Sequence, residues 1–439
     1  MSSAAPTGAP VHRADLGSPQ APDGALVDVV IACHSPRRPL GRAVASVLEG
    51  NAPAACVTVV SHNLDAAELA AVIGPAHRDR VRYLELHDGI PSPAGPFNAG
   101  IAQARTPWVS IMGSDDQLCP GAVESWLALA RATGAELVIP RLALGEPGAT
   151  VPTPAVRWTR LLAAALSGSS GTAMRRLGRL DRLGRLARTD LVADRLSYRS
   201  APLGLMSLQA LGREGIGALV PGLSVGEDVS FMTQMLSALP TAYDAVGPAY
   251  LIGEDAQDRV TYEIRPIDEQ LAFLIDLVAQ DWFAALGPAQ RRAVIVKMVR
   301  IHVFGAVHYR DRPEHWSRGE RRALAAIIRA LHRAAPGYAR VLSVAETDLL
   351  AACLDPGAPA AELIEASRRR RRHGSLRTLV TPDPVWMLDR EAPLRFMAAS
   401  VLTKALPALL AAVSSVSSPP TVRQTKEVPW SAMPPASSA

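Results

Sequence analysis

The chain is 439 residues long, 48% hydrophobic and 20% charged, with a formal net charge of +5 at pH 7. That length holds two domains, or one large domain with an appendage, and the apolar fraction is enough for a sizeable core. The mild positive balance gives no reason to expect a nucleic-acid partner. Cys33, Cys56, Cys119 and Cys353 are far apart, two of them in strand-like runs. They read as buried thiols of a reducing compartment, without zinc spacing. The Ala-, Arg- and Pro-rich bias reads as a high-GC bacterial source.

Residues 1–26 are rich in Ala, Pro, Gly and Ser and lack the apolar core of a signal peptide, so a disordered leader is expected. Val27-Asp28-Val29-Val30-Ile31-Ala32-Cys33 then reads as a buried strand, followed by a loop from His34 to Pro39. Leu40, Ala43, Val44, Val47 and Leu48 have helical spacing. Cys56 to Val60 is a second strand, Ala66 to Ile73 a second helix and Val81 to Leu86 a third strand. Asn98 to Ala104 reads as a short helix, and Trp108 to Met112 as an apolar strand. That strand runs into Gly113-Ser114-Asp115-Asp116, with Pro120 beyond. Alternating strands and helices build parallel βαβ units, whose ligand crevice lies over the C-terminal strand ends. Paired carboxylates at such an edge are costly without a cation. Hard oxygen ligands suit Mg²⁺ or Mn²⁺, with phosphate oxygens completing the shell. A turn with a helix N-cap is the plainer reading of the same pair.

Farther along, Arg175 to Arg188 nearly repeats Arg-Leu-Gly-Arg-Leu. A solvated helix face and a basic amphipathic lid meeting an anionic acceptor or leaflet surface are the two readings. Gly226-Glu227-Asp228 precedes a helix from Val229 to Leu239, and Ala249 to Ile252 is a short strand. Acidic residues also favour an ordinary helix start. Long amphipathic helices are expected at Leu271–Leu286, Pro288–Tyr309, Glu320–Ala334 and Ala345–Leu354. Arg368 to Arg372 reads as a solvated face, with an anionic-lipid contact as the second reading. Phe396 to Val413 is interrupted by Lys404 and Pro407, too short and broken for a membrane span. Residues 414–439 read as a disordered tail.

Four segments in order resemble the family 2 glycosyltransferases of GT-A fold. Val29 to Ser35 with Ala43 to Leu48 is similar to the family's opening strand and helix. Asn98-Ala99-Gly100-Ile101-Ala102-Gln103-Ala104 is similar to its N-x-G-I-x-x-A helix. Ser114-Asp115-Asp116 with Pro120 matches the end of its D-x-D-D-x-x-x-P metal motif. Gly226-Glu227-Asp228-Val229-Ser230-Phe231 resembles its G-E-D-x-x-F segment. Three positions depart from the pattern. Gly113 stands where an acid is usual, Ser61-His62-Asn63-Leu64-Asp65 replaces the stretch that reads the nucleotide base, and Pro96-Phe97 replaces an arginine.

The resemblance implies an α/β fold, a Rossmann-like mixed sheet flanked by helices. It places the GT-A domain over residues 27–265 and a mainly helical region over residues 266–413. It implies an inverting, metal-dependent transferase of a hexosyl or related group, acting in bacterial surface-glycan or glycoconjugate synthesis. The donor is a nucleotide-diphosphate sugar, and the acceptor a glycan, a lipid-linked molecule or a small molecule. Asp115 would hold Mn²⁺ or Mg²⁺. Asp228 would be the catalytic base, with Glu227 orienting it or binding acceptor. Ala32, His34, Ser61, Asn98, Ser114, Asp116 and Arg259 would line the donor. The expected location is the cytoplasm, with peripheral contact to the anionic inner membrane face as the second site. Oligomeric state stays open. The competing reading is a catalytically degenerate GT-A-like binding or scaffold protein.

Overall fold

The computed structural model describes residues 11–13, 24–145, 149–150, 188–199, 201–223, 225–245, 247–254 and 264–402. Of the expected leader, residues 11–13 and 24–26 are described, and Val11–Arg13 is an edge strand paired with Leu84–Leu86. The rest of the leader, the expected tail, Arg259 and nearly all of the Arg175–Arg188 repeat lie outside the described residues.

Nine strands form the main sheet, in the order β1-β4-β3-β2-β5-β11-β7-β12-β10. They are β1 (Val11–Arg13), β2 (Val27–Cys33), β3 (Ala55–His62), β4 (Val81–Leu86), β5 (Trp108–Gly113), β7 (Leu137–Pro140), β10 (Arg188–Thr189), β11 (Leu205–Ser207) and β12 (Thr241–Asp244). The block β4-β3-β2-β5 is parallel throughout. β11 then enters antiparallel between β5 and β7. A four-stranded sheet of β6 (Gln117–Leu118), β13 (Tyr250–Ile252), β8 (Leu142–Leu144) and β9 (Ala149–Thr150) sits beyond the end of β5.

β2 is apolar at nearly every position because both faces of the sheet are covered. Its side chains alternate between two cores. Val27, Val29 and Ile31 join α1 (Leu40–Leu48), α2 (Ala66–Ile73) and α4 (Ala122–Thr133), with Trp126 fully buried. Val30 faces the other way, as do Val60, Val109 and Ile111. The five apolar positions read as one face of α1 are the five it buries.

The second core holds α3 (Ala94–Gln103), α5 (Leu208–Arg213) and α6 (Val229–Ala238). It continues without a break into the helical C-terminal region: α7 (Ala272–Ala279), α8 (Pro288–Lys297), α9 (Phe304–Tyr309), α10 (Arg318–Ala334), α11 (Val344–Leu354) and α12 (Ala360–Arg370). No helix among the described residues is long and apolar enough to cross a membrane.

Three helix expectations change. α3 starts at Ala94, taking Pro96 into its first turn, where the missing N–H is no loss. The helix expected over Leu271–Leu286 is two, because Gln280 is extended (φ −72°, ψ 136°) between Ala279 and Asp281. The helix expected over Pro288–Tyr309 is interrupted by a π-helical turn, Met298–Val303, between α8 and α9.

A buried ionic network fastens this region to the sheet layer. Arg300, in the π turn, donates from Nε and Nη2 to the Glu346 carboxylate at 2.9 and 3.0 Å and from Nη1 to the Glu391 carbonyl at 2.8 Å. Arg195 reaches the Glu391 carboxylate at 3.1 Å. Burial works to raise the Glu346 pKa, but Arg300 prevails and holds it below the usual value.

Candidate functional site

The parallel strands end at one edge of the sheet. Ala32 lies opposite Gly113, and Cys33 opposite Ser61. The register therefore gathers Ala32, His34, Ser61, Ser114, Asp115 and Asp116 where a doubly wound sheet binds ligands. His34 is exposed, whereas Ser61 is fully buried and donates to the Leu64 carbonyl at 2.6 Å. That bond shapes the stretch standing in place of the usual base-reading residues. His62 Nε2 lies 2.8 Å from Asp88 Oδ1, and Asn63 Oδ1 accepts from the Gly89 amide at 2.9 Å. Burial pushes Asp88 up, but the Ile90 amide and His62 outweigh it and hold the carboxyl low.

The adjacent carboxylates Asp115 and Asp116 are handled differently. Asp116 turns inward and accepts from the Tyr250 hydroxyl at 2.6 Å and the Gly253 amide at 2.8 Å. Its pKa is raised by burial, with Tyr250 pulling the other way. Asp115 keeps 15% of its side chain exposed and pairs with Arg38 at 3.2 Å. Arg42 donates to the Asp115 carbonyl at 2.9 Å. Gly113 now has a reason. A Cβ there would lie 2.6 Å from Asp116 Oδ2 and 3.1 Å from Asp115 Oδ1. With Asp116 hydrogen-bonded to Tyr250, a side chain at 113 would push the Asp116 carboxylate off its partner.

Among the described residues no group of three or more His, Cys, Asp or Glu side chains could hold a metal ion. The donor set still fits Mg²⁺ or Mn²⁺ bound through one carboxylate, Asp115, with diphosphate oxygens and water in the other positions.

The N-x-G helix has a clear mechanical task. A Cβ on Gly100 would lie 2.2 Å from Val30 Cγ1, so glycine lets α3 lie directly on β2. Two residues earlier, Asn98 Nδ2 donates to the Leu219 carbonyl at 2.8 Å, and its Oδ1 accepts from the Leu219 amide at 3.0 Å. Asn98 thus pins the segment leading into Gly226 onto the helix that lies on β2.

Gly226 has φ +84°, in the left-handed region, and a Cβ there would meet the Phe273 ring at 2.6 Å. Both facts demand glycine. The turn sets Glu227 and Asp228 at the start of α6. Burial raises the Glu227 pKa. Asp228 is pushed up to about 7 by burial first, then by the Glu227 charge, with the Lys297 cation opposing. A carboxylate poised near neutrality is what a general base requires.

Lys297 is the residue that sequence reasoning missed. It ends α8, is 2% exposed, and places Nζ 3.0 Å from His302 Nε2. Burial lowers its pKa to about 8, with the Asp228 charge opposing. The His302 ring meets Phe273 edge-on at 4.9 Å. A signal was present: one lysine stands inside the apolar run Ala293-Val294-Ile295-Val296-Lys297-Met298-Val299.

Residues 28–179 match the family model described as Glycosyl transferase family 2. The succinoglycan biosynthesis protein ExoO of Rhizobium meliloti (strain 1021) is 30% identical over 116 residues, 26% of this chain and 33% of that protein. The match thus spans a third of that relative's length. Among solved structures, S. aureus TarS 1-349 in complex with UDP-GlcNAc superposes with a TM-score of 0.61 at 13% identity. That superposition covers 80% of this chain and 93% of TarS 1-349. Another structure of S. aureus TarS gives a TM-score of 0.57 at 14% identity, covering 80% of this chain and 56% of that one. These likenesses establish the GT-A fold. The matched segment contains the Asp115–Asp116 edge and the Asn98 helix; Gly226-Glu227-Asp228 and Lys297 lie beyond it.

Proposed function

We propose that the chain is an inverting glycosyltransferase that moves a sugar from a nucleotide-diphosphate sugar to an acceptor hydroxyl in surface-glycan synthesis. The observation that carries this reading is the pairing of a carboxylate poised near neutrality, Asp228, with a diphosphate-compatible edge at Asp115. Asn98 links the two, since it ties the Asp228 segment to the helix lying on β2.

In this reading the donor lies over the ends of β2, β3 and β5. Asp115 would hold Mg²⁺ or Mn²⁺, which when bound neutralises charge growing on the leaving diphosphate. Asp116, fixed by Tyr250 and Gly253, keeps the turn that presents Asp115. The acceptor oxygen attacks the anomeric carbon from the face opposite the diphosphate, so that carbon inverts. The bond from this carbon to the diphosphate oxygen breaks, and the acceptor proton passes to Asp228. The likeness to a succinoglycan biosynthesis protein supports a polysaccharide product, and the UDP-GlcNAc complex of TarS 1-349 supports a uridine nucleotide as first probe.

The test is a thermal-shift screen of UDP, GDP, dTDP, CDP and their common sugar conjugates, with and without Mn²⁺. Metal-dependent stabilisation by one nucleotide, abolished in Asp115→Ala, is the expected result. No shift with any nucleotide would favour a degenerate binding module instead.

A further inference from the structure

The most exposed large apolar side chains among the described residues are gathered in one stretch late in the helical region. Leu376, Val385, Leu388 and Val401 are 66–82% exposed, whereas no other such side chain exceeds 50%. Two of them, Val385 and Leu388, stand on one tight turn. Pro384–Trp386 is a 3₁₀ turn, and amide bonds from Trp386 to Asp383, from Met387 to Pro384 and from Asp389 to Trp386 continue its i to i+3 pattern. Residues three apart eclipse in that geometry, so Val385 and Leu388 share a side. The turn is firmly held. Asp383 Oδ1 accepts from the Val385 amide at 3.0 Å, Arg292 Nη2 donates to Asp389 Oδ2 at 2.9 Å, and Arg395 Nη1 donates to the Leu388 carbonyl at 2.6 Å. Trp386 is half-buried, with the guanidinium groups of Arg292 and Arg340 5.5 and 5.6 Å from its ring centroid. These contacts fix a shape that leaves two aliphatic side chains in water. An apolar tip rimmed by charge marks an interaction surface.

We propose that this turn is a membrane-contact element: Val385 and Leu388 enter the interface of an anionic lipid bilayer, and the arginines around them meet its headgroups. The charge balance selects that occupant. Arg292 and Arg340 stack on the turn's tryptophan, Arg395 bonds its backbone, and exposed Arg390 follows Leu388 by two residues. Against these stand two acids of the turn, Asp383 and Asp389. Asp389 is neutralised by Arg292, and one Asp383 oxygen caps the Val385 amide. The collar is therefore cationic, which is the sign an anionic leaflet attracts. Trp386 suits the same place, because a ring that is apolar with one polar N–H is the kind enriched at membrane–water boundaries. A second copy of the chain fits less well. A stable protein interface takes about 800 Å² from each partner, far more than one turn offers. A turn of this size rests in the bilayer interface without crossing it. The proposal goes beyond sugar transfer and does not depend on it.

The experiment uses the full chain and two kinds of vesicle, phosphatidylcholine alone and phosphatidylcholine mixed with phosphatidylglycerol. Co-sedimentation gives the bound fraction. The wild type should bind the mixed vesicles and bind the neutral ones more weakly, with the difference shrinking as salt rises. The double variant Val385→Ser/Leu388→Ser should lose about tenfold or more in partition to mixed vesicles, through the apolar transfer it forgoes. Arg390→Gln should lose about fivefold on mixed vesicles and nothing on neutral ones. Because Val385 and Leu388 are exposed, the double variant should melt at the wild-type temperature, which separates lost contact from lost fold. A wild type that binds neither vesicle overturns the proposal, as does a double variant that binds mixed vesicles as well as the wild type. A wild type that is dimeric in gel filtration beside a monomeric double variant also overturns it, since a second copy would then be the occupant.

Discussion

The two acidic pairs of this molecule are built on opposite plans. Asp116 is satisfied by neutral donors, a tyrosine hydroxyl and a backbone amide, while Asp115 is partly exposed and faces the Arg38 guanidinium. Asp228 is half-buried at the start of α6, with burial and a second carboxylate raising its pKa and one buried cation opposing them. The first arrangement fixes geometry, and the second fixes a protonation state. A sugar-transfer site needs both, since the leaving group asks for a steady field and the acceptor asks for a group that takes up a proton.

The largest effect should come from the second pair. Asp228→Asn should lower turnover by about 10²- to 10⁴-fold, the usual contribution of a general base, while leaving the nucleotide-induced thermal shift in place. Loss of nucleotide binding in that variant would erase the division of labour. Asp115→Ala should do the reverse. At a hundredfold excess of nucleotide over its Kd, the variant should lose about 2.7 kcal/mol of metal-dependent stabilisation in a melting experiment.

A smaller effect is expected at the support of the first pair. Tyr250→Phe removes the donor to a buried carboxylate and should cost about 1–3 kcal/mol in urea unfolding. If Asp116 is only a brace, Mn²⁺-dependent nucleotide binding survives in that variant. Gly113→Ala should cost a comparable 1–3 kcal/mol or so by crowding both carboxylates, read by the same unfolding measurement. The mildest test is pH. Asp228 must be ionised to accept a proton, and burial places its pKa at about 7, so turnover should fall as pH drops below neutrality. An acid limb near pH 4, the ordinary carboxylate range, would count against the buried assignment.

The first pair was largely legible in the sequence, and the second only in part. Strand β2 announces itself as an unbroken apolar run, and the Asp115–Asp116 edge follows from where β5 stops. α1 is amphipathic enough for its buried face to be named residue by residue. These are local signals, set by period and composition. Asn98 stands out in its motif, but its bonds to Leu219 do not, because they join positions 121 residues apart. Gly113 reads as a loss until Tyr250 is found holding Asp116 away from solvent. Lys297 lies outside the motif-bearing half, and its burial comes from tertiary packing that the local sequence does not spell out. The π turn that aligns it with His302 leaves no periodicity of its own in a run apolar on almost every side.

The π turn has a consequence for how the gene tolerates change. It is a helix carrying one residue more than its regular pitch accommodates, so the register between Lys297 and everything after it depends on chain length as well as side chains. Deleting a single codon within Met298–Val303 would relax the turn to an ordinary helix and rotate one flank relative to the other by about 100°. Both His302 and Arg300 would leave their partners in the same event, the first serving Lys297 and the second Glu346 and Glu391. In a deletion scan this short segment should stand out as one whose apolar positions, Met298, Val299, Ile301 and Val303, accept other apolar residues but whose length does not change without loss.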